Sequence, residues 1–301
     1  MTARPSTSVV VAARNEARRL AACLAAVAKL GADEVIVVDG GSADGTVELA
    51  EAAGVQVIRS GGRGLAFDRQ LGADAARGEL VAMIDADHRP DPDLLDRLWD
   101  DMQAMDFLIV QAGVEIAPTS FWTRAEGQAM ATFHHQPGPR SMIGVAPALY
   151  RRAVFDLVRF DVENPEISDD ADFCYRLAQV PGARFGIGRA RVMQEHHPTI
   201  ADYVEKFAWY GRMDAAFCRK HPQRAAHMWF HLAIRYPILR PLKALVTGRP
   251  LACAWFWLAA GVRLSAALRS MRQHAEQELI GAPVAAGAPV AAGAPGAAGA
   301  Q

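Results

Sequence analysis

Short apolar runs alternate with amphipathic stretches through the first third of the chain. Residues 8–12, SVVVA, are a β-branched run that predicts a buried strand. From Glu16 the apolar spacing becomes helical: Leu20, Cys23, Leu24, Val27 and Leu30 share one face, and Gly31 is placed to close the helix. Residues 35–38 predict a second strand, ending at Asp39 and a Gly-rich turn in which Ser42 or Asp44 can cap a helix through Ala53. A third strand at 55–58, a helix at 65–76 and a fourth strand at 81–84 follow. Each strand ends in polar residues. This alternation predicts a mostly parallel α/β sheet with its ligand at the carboxyl ends of the strands.

The rest of the chain is organised around residues 81–90, VAMIDADHRP. In an extended segment side chains alternate, so Asp85 and Asp87 would point the same way off the strand end. Two carboxylates that close repel each other, and a fold tolerates them best around a cation. Hard divalent ions such as Mg²⁺ or Mn²⁺ take oxygen ligands and share them with substrate phosphates. Asp is also common in turns and caps, so the triplet alone leaves that reading open. Asn15, Glu16, Asp39, Asp85 and Asp87 all fall at the same sheet edge, and this clustering favours the metal.

Beyond it, residues 94–105 predict a helix and 107–116 a strand. Residues 117–143 read as an irregular binding loop, and 151–158 as helical. In ENPEISDDADFCYRLAQV, residues 163–180, Ser168 can cap a helix whose first turn holds Asp169, Asp170 and Asp172. Acids at a helix N-terminus are favoured by its dipole, but three Asp in four residues exceed what capping needs. A strand at 184–193 and an amphipathic helix at 203–220 follow.

Charge divides the 301 residues unevenly. The total is 51% apolar with net charge −1, yet residues 215–275 carry ten Lys/Arg and no acid. Within them, the apolar segments 228–246 and 251–271 are interrupted by Arg, Lys and Pro, and neither offers the ~20 apolar residues of a membrane span. They read either as helices lying in a membrane surface or as a hairpin packed on the body. Residues 281–301 repeat A-P-V-A-A-G and are expected to be disordered. The four cysteines form no C-x-x-C pair and read as core residues of a reducing compartment. No long apolar stretch follows Arg4, so no secretory signal is expected, and the chain is expected to be cytoplasmic, at the inner face of the cell membrane if it attaches to one.

Four motifs in order then resemble one family. SVVVAARNEARRLAACL is similar to the S-V-V-I-P-x-x-N-E-x-x-x-L signature of the family 2 glycosyltransferases, with Ala12 where Pro is usual. VVDGGSADGT is similar to V-V-D-D-G-S-x-D-G-T, with Gly40 where a second Asp is frequent. IDADHRP resembles the family's D-x-D motif, and SDDADFCYRL its E-D-x-x-L-x-x-R-L motif, with Asp169 and Asp170 in the Glu and Asp positions. FAWYGR, residues 207–212, is a looser match.

The resemblance implies a GT-A fold, Rossmann-like, with C-terminal apolar helices. It implies a domain over 1–220, a basic apolar helical segment over 221–275 and a tail over 276–301. The implied reaction moves a sugar, with inversion, from a nucleotide-diphosphate sugar to an acceptor hydroxyl or phosphate, with Mg²⁺ or Mn²⁺ as cofactor. Asn15, Glu16, Asp39, Arg69 and Asp85 would hold the nucleotide. Asp87 would ligate the metal with Asp85 and His196, with His197 and Gln194 as alternatives to His196. Asp170 would be the general base, with Asp169 beside it. A lipid or polyprenyl-phosphate acceptor and peripheral membrane contact fit the basic C-terminal part; no nucleic-acid partner is expected. Two other readings use the same residues: a nucleotidyltransferase of similar sheet, and an inactive membrane-associated scaffold. A nucleotidyltransferase usually carries a Gly-rich basic loop after the first strand, where this chain has Arg14-Asn15-Glu16.

Overall fold

The computed structural model describes residues 3–133, 136–164, 166–195 and 199–280. Strand β1 (Thr7–Ala13) follows its pattern: Val9 and Val11 are buried on one face of the sheet, Val10 on the other. Helix α1 (Ala17–Val27) buries Leu20, Cys23, Leu24 and Val27 as the spacing predicts. β2 (Glu34–Asp39), α2 (Thr46–Ala52), β3 (Gln56–Arg59), α3 (Leu65–Ala75) and β4 (Leu80–Met83) complete the alternating half. β1 pairs parallel with β2 and β4, and β3 lies parallel outside β2.

The second half holds β5 (His88–Arg89), α4 (Leu94–Met105), β6 (Ile109–Ile116), α5 (Phe121–Ala131) and β7 (Gly138–Pro139). β8 (Ala148–Arg151), α6 (Val154–Leu157), α7 (Asp169–Leu177) and β9 (Phe185–Gln194) follow. The sheet order is β3-β2-β1-β4-β8-β6-β9-β5, with β7 on β9. β8 runs antiparallel between β4 and β6, and β6 and β9 are parallel.

Helices cover both faces. Leu20, Leu24, Leu94, Leu98 and Met102 pack from α1 and α4 on one side; Ala73, Phe155, Phe173 and Leu177 pack from α3, α6 and α7 on the other. Each fully buried Leu or Phe there contributes roughly 1.5–3 kcal/mol. α3 lies directly on β1, because a Cβ on Gly72 would stand 2.3 Å from Val10 Cγ1. One turn before Gly72, that close seat fixes Arg69.

The C-terminal part is α8 (Ile200–Lys220), α9 (Pro222–Phe230), a π-helical stretch His231–Leu239, α10 (Arg240–Val246) and α11 (Leu251–Ile280). Its inner face belongs to the body. Ala125 and Ala129 of α5, Tyr203 and Phe207 of α8, and Tyr236, Trp255 and Phe256 form a third apolar cluster. A Cβ on Gly211 would stand 2.3 Å from the Arg263 carbonyl, so α8 and α11 approach each other closely at this point. Arg263 also grips both Asp214 oxygens, at 2.9 and 3.0 Å.

Several expectations change. The loop expected at 117–143 contains α5, and the helix expected at 151–158 is only Val154–Leu157. The segment 251–271, expected to be too interrupted at Arg263 to span a membrane, lies in one long helix in which Leu251–Gln277 is long and apolar enough to cross a bilayer by length and composition. Its seat on α8 and the Asp214 pair make it a helix of the body. The tail at 281–301 lies outside the described residues.

Candidate active site

The β1 and β2 ends are tied together by side chains. Asn15, with φ 53, takes a left-handed conformation that Asn tolerates. Its Oδ1 accepts from Ala43 N at 2.9 Å, while its own N–H donates to Ser42 Oγ at 2.9 Å. Asp39 is buried and accepts from the backbone N–H groups of Gly41 and Ser42, at 3.0 and 3.2 Å. Gly40 is explained by its surroundings: a Cβ there would stand 2.7 Å from Asp68 Oδ2.

Past β4 the chain is a turn, not the extended segment expected. His88 N donates to the Asp85 carbonyl at 3.0 Å, and Asp85 N donates to His88 Nδ1 at 3.0 Å. The turn, rather than strand alternation, brings Asp85 and Asp87 to one side. Donor atoms of Asp85, Asp87 and His88 lie within 4.8 Å of one another. His88 is a poor third ligand: with Nδ1 accepting, the neutral ring carries its proton on Nε2. That nitrogen faces Asp87 Oδ1 at 3.8 Å. Glu16 lies within electrostatic reach of Asp87 and Asp85. Burial raises its pKa; Arg19 opposes the rise and the carboxylates of Asp87 and Asp85 add to it.

β9 clamps this turn from outside. Gln194 pairs with His88 across β5, and Gln194 Nε2 donates to Asp87 Oδ2 at 2.9 Å. His196 and His197 lie outside the described residues.

Arg69 links the acidic turn to the second acidic cluster. Its Nη2 donates to Asp85 Oδ1 at 3.0 Å and its Nη1 to Asp169 Oδ2 at 2.5 Å. Burial pulls against its charge, but Asp169 and Asp85 hold its pKa above the usual guanidinium value. Asp169 is thereby committed. Asp170 is not: its Oδ1 accepts from Ala171 N at 2.7 Å and from the Ser168 hydroxyl, and no cation grips it among the described residues. Burial, then the neighbouring Asp169 charge, raises the Asp170 pKa. Asp172, fully buried, is structural; it binds Arg176, Lys220 and His221.

Lys206 and Glu126 of this site carried no motif, and Tyr210 lay only in the loosely matching segment 207–212. Lys206 and Tyr210 sit one turn apart on α8; Lys206 is in electrostatic reach of Asp87 and Tyr210 of Asp170. Glu126 of α5 accepts from Tyr203 at 2.6 Å and pairs with Lys206 at 3.7 Å. The helical spacing of Tyr203, Lys206 and Tyr210 was visible in the sequence; the partner helix was not.

A doubly covered sheet with an acidic turn at its carboxyl edge, facing a second acidic pair, is the arrangement expected of a GT-A fold. The model of glycosyl transferase family 2 matches residues 8–159, about half of the chain. The chain belongs to glycosyl transferase family 2. A putative glycosyltransferase, EpsH of Bacillus subtilis (strain 168), is 34% identical over 101 residues, 31% of this chain and 29% of EpsH, so the match spans under a third of that relative. Among solved structures, the mannosyltransferase PcManGT from Pyrobaculum calidifontis, in complex with GDP-Man and Mn²⁺, is similar with TM-score 0.62 and 20% identity. The likeness covers 90% of this chain and 88% of that one. S. aureus TarS 1–349 has TM-score 0.53 and 14% identity, covering 92% of each chain; it is also known in complex with UDP-GlcNAc. Family membership sets aside the nucleotidyltransferase reading.

Proposed function

We propose that this chain is an inverting, divalent-metal-dependent glycosyltransferase that moves a sugar from a nucleoside-diphosphate sugar to an acceptor hydroxyl or phosphate. A lipid-linked or polyprenyl-phosphate acceptor at the inner face of the cell membrane suits the basic, apolar C-terminal part. One observation supports the reading: Arg69 joins Asp85 to Asp169, so a diphosphate held at Asp85 and a base at the neighbouring Asp170 would lie on opposite sides of one guanidinium.

Asp85 and Asp87, with Glu16 beside them, would hold Mg²⁺ or Mn²⁺. An all-oxygen donor set suits a hard divalent ion and not a soft one. When bound, such an ion supplies the positive charge that stabilises the departing diphosphate. Mn²⁺ and GDP-Man in PcManGT, and UDP-GlcNAc in TarS, support this donor and metal class. Lys206, near Asp87, adds a second positive charge on the leaving-group side. Asp39 has lone pairs left for the base or ribose, and Asn15 holds the turn that presents it.

Asp170 takes the proton of the acceptor hydroxyl as that oxygen attacks the anomeric carbon. Asp169 is held by Arg69 and so is not the base. The attack displaces the nucleoside diphosphate in one step, which inverts the anomeric centre.

The test is a panel of UDP- and GDP-sugars, scored for Mn²⁺-dependent binding and hydrolysis with wild type and Asp170→Asn. The variant should bind donor normally and turn over ~10²-fold or more slowly. Wild-type turnover should rise with pH along an acid limb placed above the ordinary Asp range, because the Asp170 pKa is raised. Surviving turnover with weakened donor binding would overturn the base assignment. Failure of every nucleotide sugar to bind would overturn the donor class.

A further inference from the structure

The outer side of the C-terminal helices is apolar and open to solvent. Ile234, Ile238, Leu242, Leu245, Val246 and Trp257 are exposed there, Val246 to 83%. Beside these residues is a cavity of about 150 Å³, lined by Thr132, Phe133, Arg235, Leu239, Arg240 and Lys243.

Three cations share that cavity. Lys243 Nζ donates to the Thr132 carbonyl at 2.8 Å. The Arg240 guanidinium lies 4.3 Å over the Phe133 ring and 5.3 Å from Tyr236, and its Nε is buried with no hydrogen-bond partner among the described residues. Burial, with Arg235 and Arg263 nearby, lowers its pKa. Arg263 is neutralised by Asp214; residues 215–275 contain no acid to do the same for the other three. Arg235 and Lys243 are exposed at the cavity mouth, while Arg240 has its Nε buried; a buried cation is costly unless paired, so the cavity favours an anion beside Arg240.

We propose that this cavity holds the phosphate of an anionic phospholipid, and that the apolar face beside it rests in the bilayer surface. Arginine matches the geometry of phosphate oxygens and offers several donors to them. The cavity is smaller than the roughly 300–1,000 Å³ of sites for drug-sized ligands, which suits a headgroup whose chains stay outside. A soluble phosphate compound would satisfy the cations but leave six large apolar side chains in water; contiguous exposed apolar surface of this kind marks an interaction site. The proposal does not depend on the sugar-transfer reading, since none of these residues lies among those assigned to that reaction.

The experiment uses the full chain in co-sedimentation with vesicles of phosphatidylcholine alone and of an equimolar phosphatidylcholine–phosphatidylglycerol mixture. Glycerol 3-phosphate, titrated by calorimetry, tests the soluble source. Wild type should bind the anionic vesicles and bind the neutral ones far less. The double variant Arg235→Gln/Lys243→Gln should bind anionic vesicles about 30-fold more weakly, from about 5-fold per cation near an anionic surface. Its melting temperature and donor hydrolysis should not change. Leu242→Ser/Val246→Ser should remove the part of binding that survives high salt, because screening weakens only the charge contribution. Wild-type binding by the charge double variant overturns the proposal. Glycerol 3-phosphate binding as tight as vesicle binding, with no effect of the apolar double variant, assigns the cavity to a soluble phosphate compound and also overturns it.

Discussion

Replacing Arg69 with Met keeps much of the side chain's bulk and removes its charge. Arg69 and Asp169 are each only 7% exposed. Removing one partner of a buried pair strands the other charge, at a cost of about 3–5 kcal/mol. The two carboxylates do not share that cost equally. The Asp85 side chain is 33% exposed, so water screens it, and its share is about 1 kcal/mol or less. The remainder, roughly 3 kcal/mol, falls on Asp169. A double-mutant cycle separates the shares. In an Asp169→Asn background, Arg69→Met should cost only about 1 kcal/mol, giving a coupling of about 3 kcal/mol, at the upper end of the range seen for contacting residues. Urea unfolding of the four proteins near neutral pH, followed by circular dichroism, measures each term. Strictly additive losses, or an Arg69→Met loss under about 1 kcal/mol, the scale of a surface pair, would refute the claim that Arg69 locks the two acidic clusters together.

Three further outcomes can be checked. Asp87→Ala should abolish Mn²⁺-dependent donor binding while the far-ultraviolet spectrum stays native; unchanged Mn²⁺ dependence would remove Asp87 from the metal. Glu16→Gln should raise the melting temperature of the metal-free protein near neutral pH, because burial with Asp87 and Asp85 raises the Glu16 pKa and its ionised form opposes folding. The gain should disappear once pH falls below the ordinary Glu range, and a lower melting temperature at neutral pH counts against it. Gly40→Asp, which restores the residue frequent in the family, should destabilise the fold through contact and repulsion with Asp68, and Asp68→Ala should rescue it; a Gly40→Asp protein as stable as wild type contradicts the packing described.

The alternating half of the sheet was legible because Val-rich strands and helical spacing record burial directly in residue type. Val9, Val10 and Val11 needed no tertiary information to be placed. α5 was not legible, since the residues it buries are Thr123, Ala125, Glu126 and Ala129. Small and polar side chains leave no apolar stripe, and its capping box uses Thr123 where a Glu would have given the usual signature. The D-x-D residues were found by composition but with the wrong local shape. The turn depends on the His88 ring accepting from Asp85 N, and a single side-chain bond leaves no periodicity to read. The acid cluster at 169–172 was read as a group. Dividing it into a held Asp169, an ungripped Asp170 and a structural Asp172 required Arg69 and Lys220, which lie far away in the chain. The membrane-surface and hairpin readings of the C-terminal helices were posed as exclusive, yet the inner face is packed and the outer face apolar and exposed.

Asp172 gives the C-terminal helices a hold on the first turn of α7, where the proposed base lies. It is two residues from Asp170, and burial alone would raise its pKa, yet hydrogen bonds from Lys220, His221 and Arg176 keep that carboxyl below its usual range. Lys220 and His221 stand at the end of α8, each 2.7 Å from the same oxygen. A protein cut after Lys220 would therefore retain every side chain assigned to sugar transfer and still lose one strut of the base. The same rod works in reverse. A tilt of α8 against α7 would be passed through Asp172 to Asp170, two residues away on the same helix.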